Sequence, residues 1–250
     1  TQMGTLVIVT IVAPELSVAR EMVRNAFGKM ERLEGILSRH RRGTPLDRLN
    51  DQGFIETPPP ELVEVMGRAL AYSSMTDGAF DVTVAPLLEL YASHFEAGNR
   101  PPTDREIERT LESVDYRRVR VDESAIVLEG PEMKVTLDGI AKGYIVDQTV
   151  RTLVDDGAER VLINAGGDMA SGGHGSLESP WTVGVRDPSE AQGMLAQLRL
   201  GGECIATSGD YMQSFTQDRR FHHIIDPRTG YSPNQASAVT VVTTSAMDAD

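Results

Sequence analysis

Two hydrophobic periods share this chain, and they occupy different halves of it. In residues 15–38, Val18, Met22, Ala26, Met30, Leu33 and Leu37 recur every three or four positions, the stripe of an amphipathic helix. A second stripe, Leu62, Val65, Met66, Ala69 and Leu70, opens after the prolines at 58–60 and is broken by Gly78. Thr103 and Glu106 have capping-box spacing for a short helix reaching Leu111. A further helix is expected over 140–154, stopped by Gly157. Short β-branched runs carry most of the rest. One covers 5–12, and 118–121 with 125–128 flank a turn as in a hairpin. Others lie at 132–137, 161–164, 181–186, 195–200, 203–206, 221–225 and 238–243. Helices crowd the first half and strands the second. That pattern predicts an α+β fold with largely antiparallel sheets and packed helices, not a doubly wound one.

Residues 50–60 read as a polar loop, and no repeat or linker divides the chain, so 1–250 is expected to form one domain. Ser245 is placed to cap a helix that has run about one turn at Asp250. Such a stub does not hold itself together, so a further C-terminal segment is expected. Thr1 is not an initiator methionine, so any targeting or tethering segment is expected upstream.

Charge narrows the function classes. Asp and Glu number 37 against 24 Lys and Arg, a net charge of -13. Such a chain is poorly suited to non-specific binding of nucleic acid or of an anionic membrane surface. A single cysteine, Cys204, excludes an internal disulfide and a cysteine-rich zinc site. No stretch reaches 18 apolar residues, so no spanning helix is expected.

Five clusters stand out. Gly78-Ala79-Phe80-Asp81 reads most simply as a helix stop followed by a core phenylalanine. In residues 136–144 a strand gives way to a helix through Gly139, Lys142 and Gly143. This is either a phosphate cradle or an ordinary strand-to-helix turn with a solvated lysine. Asn164-Ala165-Gly166-Gly167-Asp168 admits close ligand approach or simply a tight turn. Residues 207–211 and 221–230 form the fourth cluster. There His222 and His223 fall on opposite strand faces, so at most one of them faces a given site, and Asp226-Pro227 is turn chemistry. Asp248 and Asp250 start the last helix, where a favourable dipole interaction alone would explain them.

Taken together and in this order, these motifs resemble the ApbE-type FAD:protein FMN transferases. Residues 3–5, 46–50, 78–81, 139–144, 164–168, 208–211, 223–227 and 245–250 carry the likeness over nearly the whole chain. The resemblance implies a T-fold-like α+β flavin transferase domain, in a periplasmic or cell-envelope protein often carrying a signal or lipid anchor. It implies a transferase acting on a phosphorus-containing group. FAD is the substrate, FMN passes to a Thr or Ser hydroxyl of an acceptor flavoprotein, and AMP leaves. Carried over by position, Met3, Ala79, Phe80, Asp81, Lys142 and Ile224 would line the FAD site. The Gly139 carbonyl and the Asp250 carboxylate would bind Mg²⁺, and His223 would be the acid/base group. Two positions depart from the family pattern: Thr136 replaces a flavin-contacting Asp, with Asp138 as an extra carboxylate, and His40 stands where a Tyr often contacts the flavin. The Thr-Leu-Asp-Gly form is closer to members tied to nitrous oxide reduction or membrane electron-transfer complexes, which suggests a respiratory acceptor subunit.

The chemistry is consistent. A pyrophosphate in so acidic a protein needs local countercharge, which Lys142, oriented N–H groups and Mg²⁺ would supply. Hard oxygen ligands suit Mg²⁺ better than Zn²⁺. A histidine can take a hydroxyl proton near neutral pH. The alternative is an FAD-binding or FAD-hydrolysing protein without transferase activity. A serine hydrolase built on Ser208 and His223 is disfavoured, because Ser208 lies in no nucleophile elbow.

Overall fold

The computed structural model describes residues 2–98, 100–190 and 193–250. The chain forms two compact units. The first comprises the chain up to Glu34 with Gly139–Ser208 and Ala238–Asp250; the second comprises Gly35–Asp138 and Gly209–Ser237.

The first unit is built on a five-stranded sheet of order β1-β5-β6-β9-β10: β1 (Val7–Val12), β5 (Arg160–Ala165), β6 (Asp168–Gly172), β9 (Cys204–Gly209) and β10 (Ala238–Thr243). β1 with β5, β5 with β6, and β6 with β9 pair antiparallel. Helix α6 (Ala141–Asp155) packs on β5 and β6, burying Val146, Val150 and Leu153. β7 (Trp181–Arg186) and β8 (Met194–Leu200) form a separate ribbon. Its Val183 and Leu200 cluster with Ile205, Leu162 and Met169 of the sheet. The short helix α7 (Ala246–Ala249) starts at the Ser245 cap and packs on α6. Strand β6 is absent from the sequence reading. It exists because Gly166 and Gly167, at φ 68° and 111°, turn the chain straight back onto β5.

The second unit holds a three-stranded sheet of order β2-β4-β3: β2 (Phe54–Glu56), β3 (Val119–Val121) and β4 (Ala125–Leu128). The expected hairpin is β3 and β4. Helices α2 (Pro45–Gln52), α3 (Pro60–Met75), α4 (Ala85–Gly98) and α5 (Asp104–Leu111) complete it. α5 carries the expected Thr103–Glu106 capping box. The loop expected at 50–60 instead contains the end of α2, a Gly53 turn and β2. Leu87 and Tyr91 of α4 form a core cluster with Ile107 and Ile225, against which Phe95, Phe215 and Phe221 pack. Long helix α1 (Leu16–Leu37), which belongs to the first unit as far as Glu34, buries Met22, Ala26, Met30, Leu33 and Leu37 of the stripe read from sequence, while Val18, its first member, is exposed.

Two expected strands are not strands. Residues 132–137 run as irregular chain: the Asn50 side chain accepts from Val135 N at 2.7 Å and donates to its carbonyl at 2.9 Å. An asparagine thus takes the place of a partner strand. Residues 221–225 make only an isolated bridge, between Ser214 and His222. Among the described residues no helix is long and apolar enough to cross a membrane.

Candidate active site

In the first unit, three charged side chains converge on the start of α6. Lys142 Nζ lies 2.5 Å from Asp168 Oδ2 and 3.8 Å from Asp250 Oδ1. The Asp168 and Asp250 side chains are 3% and 6% exposed. Each arrives by a local device. The Gly166–Gly167 turn sets Asp168 at the head of β6, and Ser245 starts the helix that carries Asp250. Asp250 Oδ2 accepts the Gly143 backbone N–H at 2.9 Å. Helix α6 has no side-chain cap of its own, so Asp250 supplies one from the far end of the chain.

This arrangement revises the reading of residues 136–144. Lys142 is ion-paired, and the Gly143 N–H belongs to Asp250 instead of standing open for a phosphate. Gly143 is required for packing: a Cβ there would collide with the Ala246 carbonyl. Gly139 is exposed just ahead of α6.

Two buried carboxylates share one ammonium, so ionising both would leave one negative charge uncompensated. Burial, and then the Asp168 charge, push the Asp250 carboxyl from 3.8 up to about 7, against the pull of Lys142 and the Gly143 N–H. The two carboxylates offer hard oxygen donors, the kind that suits a divalent cation, on either side of the Lys142 ammonium. Among the described residues no group of three or more His, Cys, Asp or Glu forms a metal cluster by itself. A cation here would therefore need main-chain, hydroxyl or substrate oxygens as well. Asp168 went unassigned in the sequence, although its place directly after two glycines was the available signal.

Met3, also in this unit, sits half-buried at φ 53° in a turn closed by mutual Gln2–Thr5 hydrogen bonds. A left-handed non-glycine residue costs energy and often marks a functional position.

The remaining candidates lie in the second unit. Asp81 is buried and accepts from Thr83 N, Thr83 Oγ1 and Tyr116 N at 2.8, 2.6 and 3.0 Å. Burial raises its carboxyl despite these bonds. Ala79 is exposed and Phe80 only half-buried, so Phe80 is not the core residue that the simpler reading expects. Asp138 Oδ2 meets His40 Nε2 at 3.2 Å and Arg39 Nε at 2.9 Å, and Arg39 Nε also reaches Thr136 Oγ1 at 3.1 Å. Burial works against ionisation of Asp138, but His40 and Arg39 outweigh it and hold the carboxyl well below its ordinary range. Asp138 thus orients the His40 ring.

His223 and Ile224 are half-buried, on the chain that leaves Phe221. Phe215 stacks on Phe95 with centroids 5.2 Å apart, and Phe221 lies 5.8 Å from the same ring. These contacts anchor the loop to α4. The His223 ring Nδ1 is 3.1 Å from the Gln213 carbonyl. A carbonyl only accepts, so Nδ1 carries a hydrogen, and in the neutral ring the lone pair is on Nε2. His222 is the buried member of the pair, with Nε2 donating to the Pro233 carbonyl at 3.0 Å.

The ApbE family profile matches residues 3–250, and the chain belongs to this family. A protein named FAD:protein FMN transferase from Klebsiella pneumoniae is 31% identical over 92% of this chain and 72% of its own length. One of the same name from Vibrio cholerae is 33% identical over 88% of this chain and 68% of its own. The crystal structure of the ApbE protein of Thermotoga maritima superposes with a TM-score of 0.88 at 30% identity, covering all of this chain and 82% of that one. The mixed helix and antiparallel-sheet architecture is therefore that of the ApbE flavin transferases.

Proposed function

We propose that this chain is an FAD:protein FMN transferase that uses a divalent cation, Mg²⁺, and modifies a Thr or Ser hydroxyl of an acceptor flavoprotein. Family membership and the names of its relatives support the transfer of FMN. The observation that supports the rest is the buried Lys142–Asp168–Asp250 cluster, where two carboxylates meet one ammonium and one of them, Asp250, is a residue that the family resemblance makes a metal ligand.

In this reading Asp250 and Asp168 hold the cation, with Gly139 contributing its carbonyl. Bound there, Mg²⁺ would offset charge on the pyrophosphate oxygens. Lys142 limits repulsion between the carboxylates and offers an ammonium to a phosphoryl group. Asp81 and its neighbours Ala79 and Phe80, with Met3, His40, Thr136 and Ile224, contact FAD. His223 Nε2 takes the proton of the acceptor hydroxyl while its Nδ1–H stays on the Gln213 carbonyl. The hydroxyl oxygen bonds to the flavin-side phosphorus, the bridging P–O bond breaks, and AMP leaves. A membrane electron-transfer subunit as acceptor and a cell-envelope location belong to the same reading and rest on the family resemblance.

Thermal melting with ligands tests it. FAD with MgCl₂ should raise the melting temperature, since a ligand that binds only the folded state stabilises it. Equal protection by riboflavin would contradict a pyrophosphate-recognising site.

A further inference from the structure

The peptide joining His222 to His223 is fastened at both ends. Its carbonyl accepts from Ser232 Oγ at 2.9 Å, and its N–H donates to the Gln213 carbonyl at 3.0 Å. Ser232 Oγ also accepts the His222 N–H at 3.0 Å, so one buried hydroxyl serves both backbone groups of His222. In a β-ladder a neighbouring main chain would do this. Here the next residue is Pro233, which has no N–H to give; its carbonyl takes the His222 ring instead. The Ser232 side chain therefore stands in for a strand.

We propose that Ser232 is a positioning residue for His223. The inference rests on the reading of His223 as the acid/base group. Without the Ser232 hydroxyl, two backbone groups of His222 lose their partner inside the protein. The peptide must rotate to find others, and that rotation turns the Cα–Cβ bond of the next residue, His223. The imidazole then loses its alignment on the Gln213 carbonyl. Proton transfer is steep in such misplacement, while FAD binding depends on other side chains.

The test compares Ser232→Ala, Ser232→Thr and His223→Ala with the parent. AMP release from FAD is followed with MgCl₂ and a purified flavin-free domain of a covalent flavoprotein. Imidazole ¹⁵N spectra of histidine-labelled protein are recorded alongside. Ser232→Ala should lower kcat by about tenfold or more. Its KM for FAD should stay within about twofold, and His223 should change from a single Nδ1–H tautomer to a mixture. Ser232→Thr, which keeps the hydroxyl, should restore both. Should Ser232→Ala not fold, Ser232→Cys keeps the volume, weakens both hydrogen bonds and carries the same expectation. Parental kcat and an unchanged tautomer in Ser232→Ala, with His223→Ala inactive, would overturn the positioning role and leave His223 as the base. Parental turnover in His223→Ala would instead overturn the reading of His223 itself.

Discussion

The Asp250 carboxylate caps the backbone N–H of Gly143 at 2.9 Å, across 107 residues of sequence. The favour is returned: Asp147, further along the same helix, accepts from Ala246 N at 2.8 Å and Met247 N at 3.0 Å. Helices α6 and α7 thus exchange carboxylate caps, and the exchange delivers Asp250 to Lys142 and Asp168. A four-residue helix has little stability alone. Here it is held by the partner that it serves.

The carboxylate pair makes stability depend on pH with a definite sign. Asp250 is raised from 3.8 to about 7 by burial and by Asp168. Between those values the folded protein keeps a proton that the unfolded chain has released. Metal-free stability should therefore fall as pH rises through that window and be lowest above it. Melting curves in EDTA should show this decline, and Asp250→Asn should flatten it. MgCl₂ should stabilise the parent far more at about pH 8 than at about pH 5, because metal and proton compete for the same oxygens.

Gly143→Ala tests the helix contact. The added Cβ would strike the Ala246 carbonyl, a backbone atom that cannot swing aside. A loss of roughly 1–3 kcal/mol is expected, read as a lower melting temperature. The response to MgCl₂ should weaken as well, since α7 carries Asp250.

Cys204 should be inert in the folded protein. Burial and the neighbouring Asp147 carboxylate push its thiol up to about 12. Thiol alkylation at about pH 8, followed by mass spectrometry, should modify the native chain only at its unfolding rate.

The two histidines should separate cleanly. His222→Ala removes a buried donor from the Pro233 carbonyl and should cost about 1–3 kcal/mol of stability. His223→Ala should leave melting nearly unchanged but slow transfer by on the order of 10²–10⁴. The contrast follows from burial: His222 is enclosed, whereas its neighbour His223 is half-buried.

Periodicity read what periodicity governs. The α1 stripe from Met22 onward, the α5 capping box, the β3–β4 hairpin and the Ser245 cap all follow from local rules, and all are present. Helix α4 escaped because its buried Ala85, Leu87 and Tyr91 sit among apolar residues on nearly every side, which blurs a stripe. Residues 132–137 and 221–225 have strand composition, but Asn50 and Ser232 occupy the backbone groups a ladder would need. In the candidate site, Lys142 and Asp250 were legible as members of motifs. Asp168 as their partner was not, because the contact depends on how the sheet sets β6 against α6.

Transfer of FMN to protein is read directly by mass spectrometry of an acceptor. The purified protein is incubated with FAD, MgCl₂ and a flavin-free domain of a membrane electron-transfer flavoprotein, in parallel with Asp250→Asn and His223→Ala. An FMN adduct on a Thr or Ser of the acceptor is expected, with one AMP released per adduct and little or none from either variant. FMN and AMP released into solution with the acceptor unmodified, or an adduct formed equally well in EDTA, would contradict it.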